Sequence, residues 1–278
     1  MPASEGPLVI AVVLNWRDAE STRTCVESLV AEPAVSHTVL VDNESTGELR
    51  SIESDGVTLI EQEENLGFSR GVNIGVRAAL EQGAQAVLVI NNDALVESGA
   101  VAELIETWRA HGDRTGIVAP MVRYADGTLQ SSGGRLRPFD ASTTDLVEPG
   151  EANYLTWACI LLPRATTESI GLLDERFFMY WEDVDYGLRV LDAGLDLLVA
   201  ERASVVHEKS KSHGRAGTAI DRYGARGLVV LARTRRGVLL YVGLPLRITA
   251  RVLRRLLEGR PAHAAAVLKG VREGWKAT

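Results

Sequence analysis

Short apolar runs alternate with helix-patterned stretches through the first part of this chain, and that alternation leaves few folds open. Residues 8–14, 38–41, 57–60 and 86–90 are short and apolar with no polar side, as strands buried on both faces of a sheet must be. Between them, residues 20–32 and 71–82 carry helical spacing, and in the first of these Cys25, Leu29 and Val30 face the sheet. Strands separated by helices are joined by right-handed crossovers and form parallel sheets. The expectation is therefore an α/β fold, with a Rossmann-like, mainly parallel sheet flanked by helices. Ligands of such sheets bind beyond the carboxyl ends of the strands. The polar residues there are the first candidates for chemistry.

After Gly116 the pattern changes. Residues 117–122 predict a strand, and 124–129 a hairpin around Asp126-Gly127. Residues 140–153 are polar and read as a loop near the site, 157–162 as a strand, and 182–193 as a helix closed by Gly194. Ser204-Val205-Val206 reads as a further strand leading to His207.

The composition, 46% hydrophobic and 24% charged, is that of a folded chain and excludes disorder. Cys25 and Cys159 are far apart and lack CxxC spacing, so neither a disulfide framework nor a zinc site is expected, and a reducing compartment is. The first residues lack the basic patch and apolar run of a signal peptide. A net charge of −7 conceals an asymmetry. From Arg222 onward, Arg and Lys greatly outnumber Glu258 and Glu273, which leaves an acidic remainder ill suited to nucleic acid.

The tail from Tyr223 is helix-like. Leu246, Thr249/Ala250, Leu253 and Leu256/Leu257 recur at spacings of three and four, with Arg247, Arg251, Arg254 and Arg255 on other faces. The apolar stretch at 238–246 is too short to span a bilayer. Two arrangements fit: a helix lying in a membrane interface or on a partner, and a helix covering the protein's own core with a solvated arginine face.

Several strand ends and turns carry candidate chemistry. Asp42, followed by Asn43 and Ser45, can accept from a pyrimidine N–H or a ribose hydroxyl, and fits turn capping as well. The segment from Asn65 through Gly67, Arg70, Gly71 and Asn73 to Gly75 offers amides and a guanidinium. Its helical glycines cost about 1 kcal/mol each relative to alanine, which points to tight packing or a ligand. Asn91-Asn92-Asp93 closes the most apolar strand, and Asp93 can ligate a hard divalent cation, though a lone aspartate after a strand is more often a helix cap. At Trp181-Glu182-Asp183-Val184-Asp185, three carboxylates crowd a helix start, more than capping requires; Asp183 is the choice for a general base, with Arg189 positioned to pair with Asp185. A single histidine is usually structural, but His207 at a strand end could complete a metal site, and Lys209, Lys211 and His213 lie in a loop able to close over phosphates. Trp157 and Trp181 offer faces for a sugar, and Trp157 fits core filling equally.

In order, Val13-Leu14-Asn15-Trp16, Val41-Asp42-Asn43-Glu44-Ser45, Asn65-Leu66-Gly67-Phe68, Asn91-Asn92-Asp93, the Trp181–Arg189 segment and Val206-His207 resemble the motifs of family 2 glycosyltransferases of the GT-A fold. The likeness is greatest to their rhamnosyltransferase-like and galactofuranosyltransferase-like branch, and it covers roughly residues 8–236. It implies a GT-A catalytic domain over 1–215, with a nucleotide-sugar half to about 116 and an acceptor half to 215, followed by a basic helical region over 216–278. It implies that Asn15, Asp42, Asn65, Gly67, Arg70, Asn73, Asn92 and Asp93 bind the donor, a dTDP or UDP sugar. Trp157, Trp181 and Glu182 would meet a saccharide or lipid-linked acceptor. Asp93 and His207 would hold Mn²⁺ or Mg²⁺, and Asp183 would be the base of an inverting transfer. The first position of the metal motif is Asn91 here, so a single motif carboxylate remains. A bacterial cytoplasmic enzyme, peripheral on the inner face of the plasma membrane and able to form a homodimer, is the corresponding expectation. A sugar-phosphate nucleotidyltransferase would need a glycine-rich basic loop after the first strand, where Asn15-Trp16-Arg17-Asp18 stands instead. A non-catalytic nucleotide- or glycan-binding subunit could dispense with Asp183 and His207, and both are present.

Overall fold

The computed structural model describes residues 6–148, 150–208 and 217–277. The expected strands form: β1 (Val9–Asn15), β2 (His37–Asn43), β3 (Val57–Gln62) and β4 (Ala86–Asn91) are mutually parallel in the order β3-β2-β1-β4. The sheet continues through β10 (Cys159–Pro163), β6 (Thr115–Arg123), β11 (Asp196–His207) and β5 (Ala94–Val96). β10 is antiparallel to both neighbours, β6 and β11 are parallel, and β5 closes the edge antiparallel to β11. The hairpin predicted at Asp126-Gly127 returns as β7 (Leu129–Ser131), antiparallel to β6.

Side chains alternate across the central strands, and both sets are buried. Val9, Ala11 and Val13 pack with Cys25, Val26 and Leu29 of α1 (Ala19–Val30) and with Leu104 of α3 (Ala100–His111). On the opposite face, Ile10 and Val12 meet Val72 and Val76 of α2 (Phe68–Glu81), together with Tyr186 and Val190 of α5 (Glu182–Asp192). Each fully buried leucine or isoleucine in these layers contributes on the order of 1.5–3 kcal/mol. Gly71 and Gly75 let α2 lie directly on β1, because a Cβ at either would stand 2.4 Å from a side-chain carbon of Leu14 or Val12. Of the two expectations for these glycines, close packing is the one realised.

Some elements depart from expectation. α3 and β5 carried no pattern that was read, and β11 begins eight residues before Ser204. The stretch at 140–153 is not wholly loop, since β9 (Ser142–Thr144) pairs with β8 (Arg135–Arg137). A short helix, α4 (Arg164–Ile170), precedes α5.

The C-terminal region is three helices, α6 (Ala219–Arg235), α7 (Leu244–Leu257) and α8 (Pro261–Lys276), with Gly259 in a left-handed conformation at the last break. Leu228, Val229 and Leu231 of α6 share a third apolar cluster with Tyr154, Phe177 and Val184. Asp221 of α6 is wholly buried, and Arg251 (2.8 Å), Arg255 (3.0 Å) and His263 (2.7 Å) converge on its carboxylate. α7 therefore faces its own protein with arginines. The solvated arginine face expected of a core-covering helix is not what forms for Arg251 and Arg255. No helix among the described residues is long and apolar enough to cross a membrane.

Candidate active site

The parallel register sets Asn15 opposite Asp42 at the carboxyl ends of β1 and β2. Asn15 Nδ2 donates to Asp42 Oδ1 at 2.6 Å, while Asn15 Oδ1 accepts from the Asp18 amide at 3.2 Å and from Thr22 Oγ1 at 2.8 Å. This fixes the carboxylate's orientation and leaves Oδ2 unbonded among the described residues. Next along the sheet edge, Asn43 donates to Asn65 Oδ1 (3.0 Å) and to the Gly67 carbonyl (3.1 Å), and accepts from the Leu66 amide (2.9 Å). The loop before α2 is thereby bound to the end of β2. Gly67 has φ +83°, and a Cβ there would stand 2.4 Å from the Phe178 carbonyl oxygen, so only glycine fits. Its requirement comes from the loop ahead of α5.

Beyond β4, the chain turns through Asn92 and Asp93 into β5, whose antiparallel pairing with β11 places Ala94 opposite His207. That register brings His207 Nε2 to 3.1 Å from Asp93 Oδ1 and 3.3 Å from Asn91 Nδ2. Behind the imidazole, Nδ1 meets Gln130 Oε1 of β7 at 2.6 Å. An amide oxygen can only accept, so Nδ1 carries the proton, and in the neutral ring the Nε2 lone pair then faces the Asp93 carboxylate. Two electron-rich atoms converging at this separation fit a shared cation: nitrogen and oxygen ligands of a divalent ion, with an outer amide holding the tautomer. Asn91 supplies an amide where a second carboxylate would add charge. Asn92 points elsewhere, donating to Thr22 Oγ1 at 2.9 Å. Thr22, buried in α1, thus joins the ends of β1 and β4.

The carboxylate-rich turn opens α5. Tyr180 and Trp181 both adopt left-handed backbone, at φ +71° and +75°, a conformation unfavourable for bulky side chains. α6 holds them there: Trp181 Nε1 donates to the Gly224 carbonyl at 2.8 Å, and Gly227 lies so close that a Cβ would stand 2.4 Å from Tyr180 O. The three acids then separate. Asp185 is buried and pairs with Arg189 at 2.9 Å, the i,i+4 partnership expected, so it anchors α5. Glu182 is buried too, with Oε2 unbonded among the described residues. Burial, and then the neighbouring Asp183, hold its carboxyl well above the usual carboxylate range. Asp183 is only half-buried, and its Oδ1 accepts from the Val184 amide at 2.8 Å.

Residues 9–171 match the family described as Glycosyl transferase family 2. The chain belongs to that family.

The glycosyltransferase is 30% identical over 220 residues to the N-acetylglucosaminyl-diphospho-decaprenol L-rhamnosyltransferase of Mycobacterium tuberculosis, covering 68% of this chain and 71% of that protein. It is 25% identical over 209 residues to the low-salt glycan biosynthesis hexosyltransferase Agl10 of Haloferax volcanii, covering 71% of this chain and 66%, just under two thirds, of that protein. Among solved structures, it resembles the Pyrobaculum calidifontis mannosyltransferase PcManGT in complex with GDP-Man and Mn²⁺, at TM-score 0.60 and 15% identity, covering 98% of this chain and 88% of that one. It also resembles GalNAc-T7 with UDP, GalNAc and Mn²⁺, at TM-score 0.68 and 15% identity, covering 83% of this chain but only about half, 48%, of the other. At such identity these likenesses establish the fold, which is GT-A as expected.

Some expected site residues of this glycosyltransferase lie elsewhere. Trp157 is buried in the core, edge-on to Tyr186 at 5.1 Å between ring centroids, so its faces are closed to an acceptor sugar. Asn73 is buried on α2, and its amide donates to the Leu173 carbonyl (2.9 Å) and accepts from the Leu173 amide (3.1 Å), clamping the loop before α5. Arg70 is exposed and 3.5 Å from Glu175. Trp181 uses its indole N–H on α6, and Glu182 lies beneath the surface that Asp183 reaches. Lys209, Lys211 and His213 lie outside the described residues. Sequence reasoning missed Gln130, Asn43 and Thr22 as site-building residues. Gln130 follows the hairpin turn and Asn43 follows Asp42, both readable as turn polarity, and Thr22 falls on a helix face where threonine is unremarked.

Proposed function

We propose that this enzyme transfers a hexosyl group, rhamnose or another deoxyhexose, from a dTDP- or UDP-sugar to a hydroxyl of a lipid-linked saccharide, with inversion. The observation that carries the reading is the Asp93–His207 pair at 3.1 Å, joined through Asn92 and Thr22 to the Asn15–Asp42 pair. In this reading Asp42, oriented by Asn15, accepts from the base or ribose of the donor. Asn65 and Gly67 border the nucleotide. Asp93 and His207 hold Mn²⁺ or Mg²⁺ with Asn91 beside them; when bound, the ion offsets charge on the departing nucleoside diphosphate. Asp183 takes the acceptor's proton as the hydroxyl attacks the anomeric carbon from the face opposite the leaving group. Burial and the neighbouring Asp183 raise the Glu182 carboxyl, which disfavours a second negative charge beside Asp183.

Relatedness to a protein named as a decaprenol-linked rhamnosyltransferase supports the sugar and a lipid-linked acceptor. In this reading the enzyme meets such an acceptor at a membrane surface, on its cytoplasmic face. Calorimetry with UDP, dTDP and GDP, each with and without Mn²⁺, tests the donor reading. One nucleotide should bind in preference and more tightly with metal; a folded chain that binds none of them would overturn it.

A further inference from the structure

α7 is turned inside out relative to an ordinary surface helix. Its inward side carries Leu244, Ile248, Arg251 and Arg255, and the two arginines lie against Asp221. Its outward side carries Leu246, Leu253, Leu256 and Leu257, with Leu253 54% and Leu257 88% exposed, and Tyr241 just ahead of the helix is 75% exposed. A contiguous exposed apolar ridge of this kind marks an interaction surface. Arg247 and Arg254 run along one flank, and Arg236 and Arg260 stand near its ends. Glu258, just past the helix, is engaged by Arg255 at 2.9 Å and approached by Arg254 at 3.6 Å, and Asp140 is near enough to act on Arg247.

We propose that this leucine ridge is a docking surface for an anionic lipid bilayer, entering the interface while Arg247 and Arg254 meet the headgroups. Charge selects this occupant. An arginine-flanked apolar face complements anionic lipid, whereas a second copy of the chain would bring the same cations against themselves. The helix is too short and too charged to span, which leaves it lying flat. Asp221 fixes which side faces out: rotation of α7 would take Arg251 and Arg255 away from a buried carboxylate and leave it only His263 of α8. The proposal rests on the lipid-linked acceptor reading and adds the surface by which the enzyme reaches that acceptor.

The full chain is to be co-sedimented with phosphatidylcholine vesicles, with and without phosphatidylglycerol. Binding should require the anionic lipid. Leu253→Gln with Leu257→Gln should lower partitioning about tenfold or more, and Arg247→Gln with Arg254→Gln about fivefold per arginine. Both variants should keep wild-type thermal stability and nucleotide binding. Unchanged sedimentation of the leucine variant, or no binding of the wild-type chain, would overturn the docking surface. So would a dimer, seen by sedimentation velocity, that the leucine substitutions dissociate. Nucleotide calorimetry on the wild-type chain separates the two ideas: nucleotide binding without binding to anionic vesicles sinks the docking surface alone, and vesicle binding without nucleotide binding sinks the donor reading alone.

Discussion

His207 Nε2 stands 3.1 Å from Asp93 Oδ1, although the two residues lie far apart in the sequence, and Gln130 behind the ring dictates which nitrogen faces the carboxylate. Gln130→Ala should therefore weaken Mn²⁺ binding by about 10- to 100-fold without touching the ion's direct ligands. Calorimetric titration of Mn²⁺ in the presence of saturating nucleotide reads this directly. An unchanged affinity would mean that His207 is not a ligand, or that its tautomer is fixed by something other than Gln130.

Asp183→Asn preserves size and removes the basic oxygen. Transfer should fall by about 10²- to 10⁴-fold, the usual worth of a positioned general base, while donor nucleotide affinity stays within twofold or so of wild type. Near-normal turnover would assign the base elsewhere, Glu182 being the nearest carboxylate.

Glu182 makes stability depend on pH in a defined sense. Its folded carboxyl is raised above the ordinary 4.5, first by burial and then by Asp183, so unfolding releases a proton. Its contribution is fully present below about the unfolded value and is lost as pH rises toward the folded value. Glu182→Gln, which needs no proton, should gain on wild type in melting temperature as pH rises above the ordinary carboxylate range. Melting temperatures of the two proteins that run parallel with pH would contradict a raised carboxyl at Glu182.

Asn73→Ala tests an amide that the sequence grouped with the donor site and the structure joins to Leu173. Two buried backbone groups would lose their partner, at about 1–3 kcal/mol each. Denaturant unfolding should show this loss, with donor KM little changed. A large rise in KM with normal stability would restore Asn73 to the nucleotide.

Much of this was legible in the residues themselves. The central strands could be read because both faces are buried, so an unbroken apolar run is the only sequence that satisfies them. The positions of Asp42 and His207 at strand ends, of Asp93 just beyond one and of Asp183 at a helix start could be read, because the strands and the helix that carry them were legible. Trp157 and Asn73 show where that logic stops. A tryptophan near a site and an asparagine in a glycine-rich helix look functional until their partners, Tyr186 and Leu173, are known, and those partners are set by tertiary packing. α7 shows the same boundary from the other side. Its amphipathic spacing was plain, but which face turns inward is decided by one buried aspartate on another helix.

The pairing of β5 with β11 also has a consequence for how the protein is made. Asn91 and His207 are 116 positions apart, and their meeting waits on the last strand of the sheet. During synthesis from the N-terminus, Asp93 leaves the ribosome well before its partner exists. Contacts of such long range also form slowly, because the intervening chain must first be ordered. The proposed cation site is thus among the last things the growing polypeptide can complete, and a chain interrupted ahead of β11 carries Asp93 without His207 beside it.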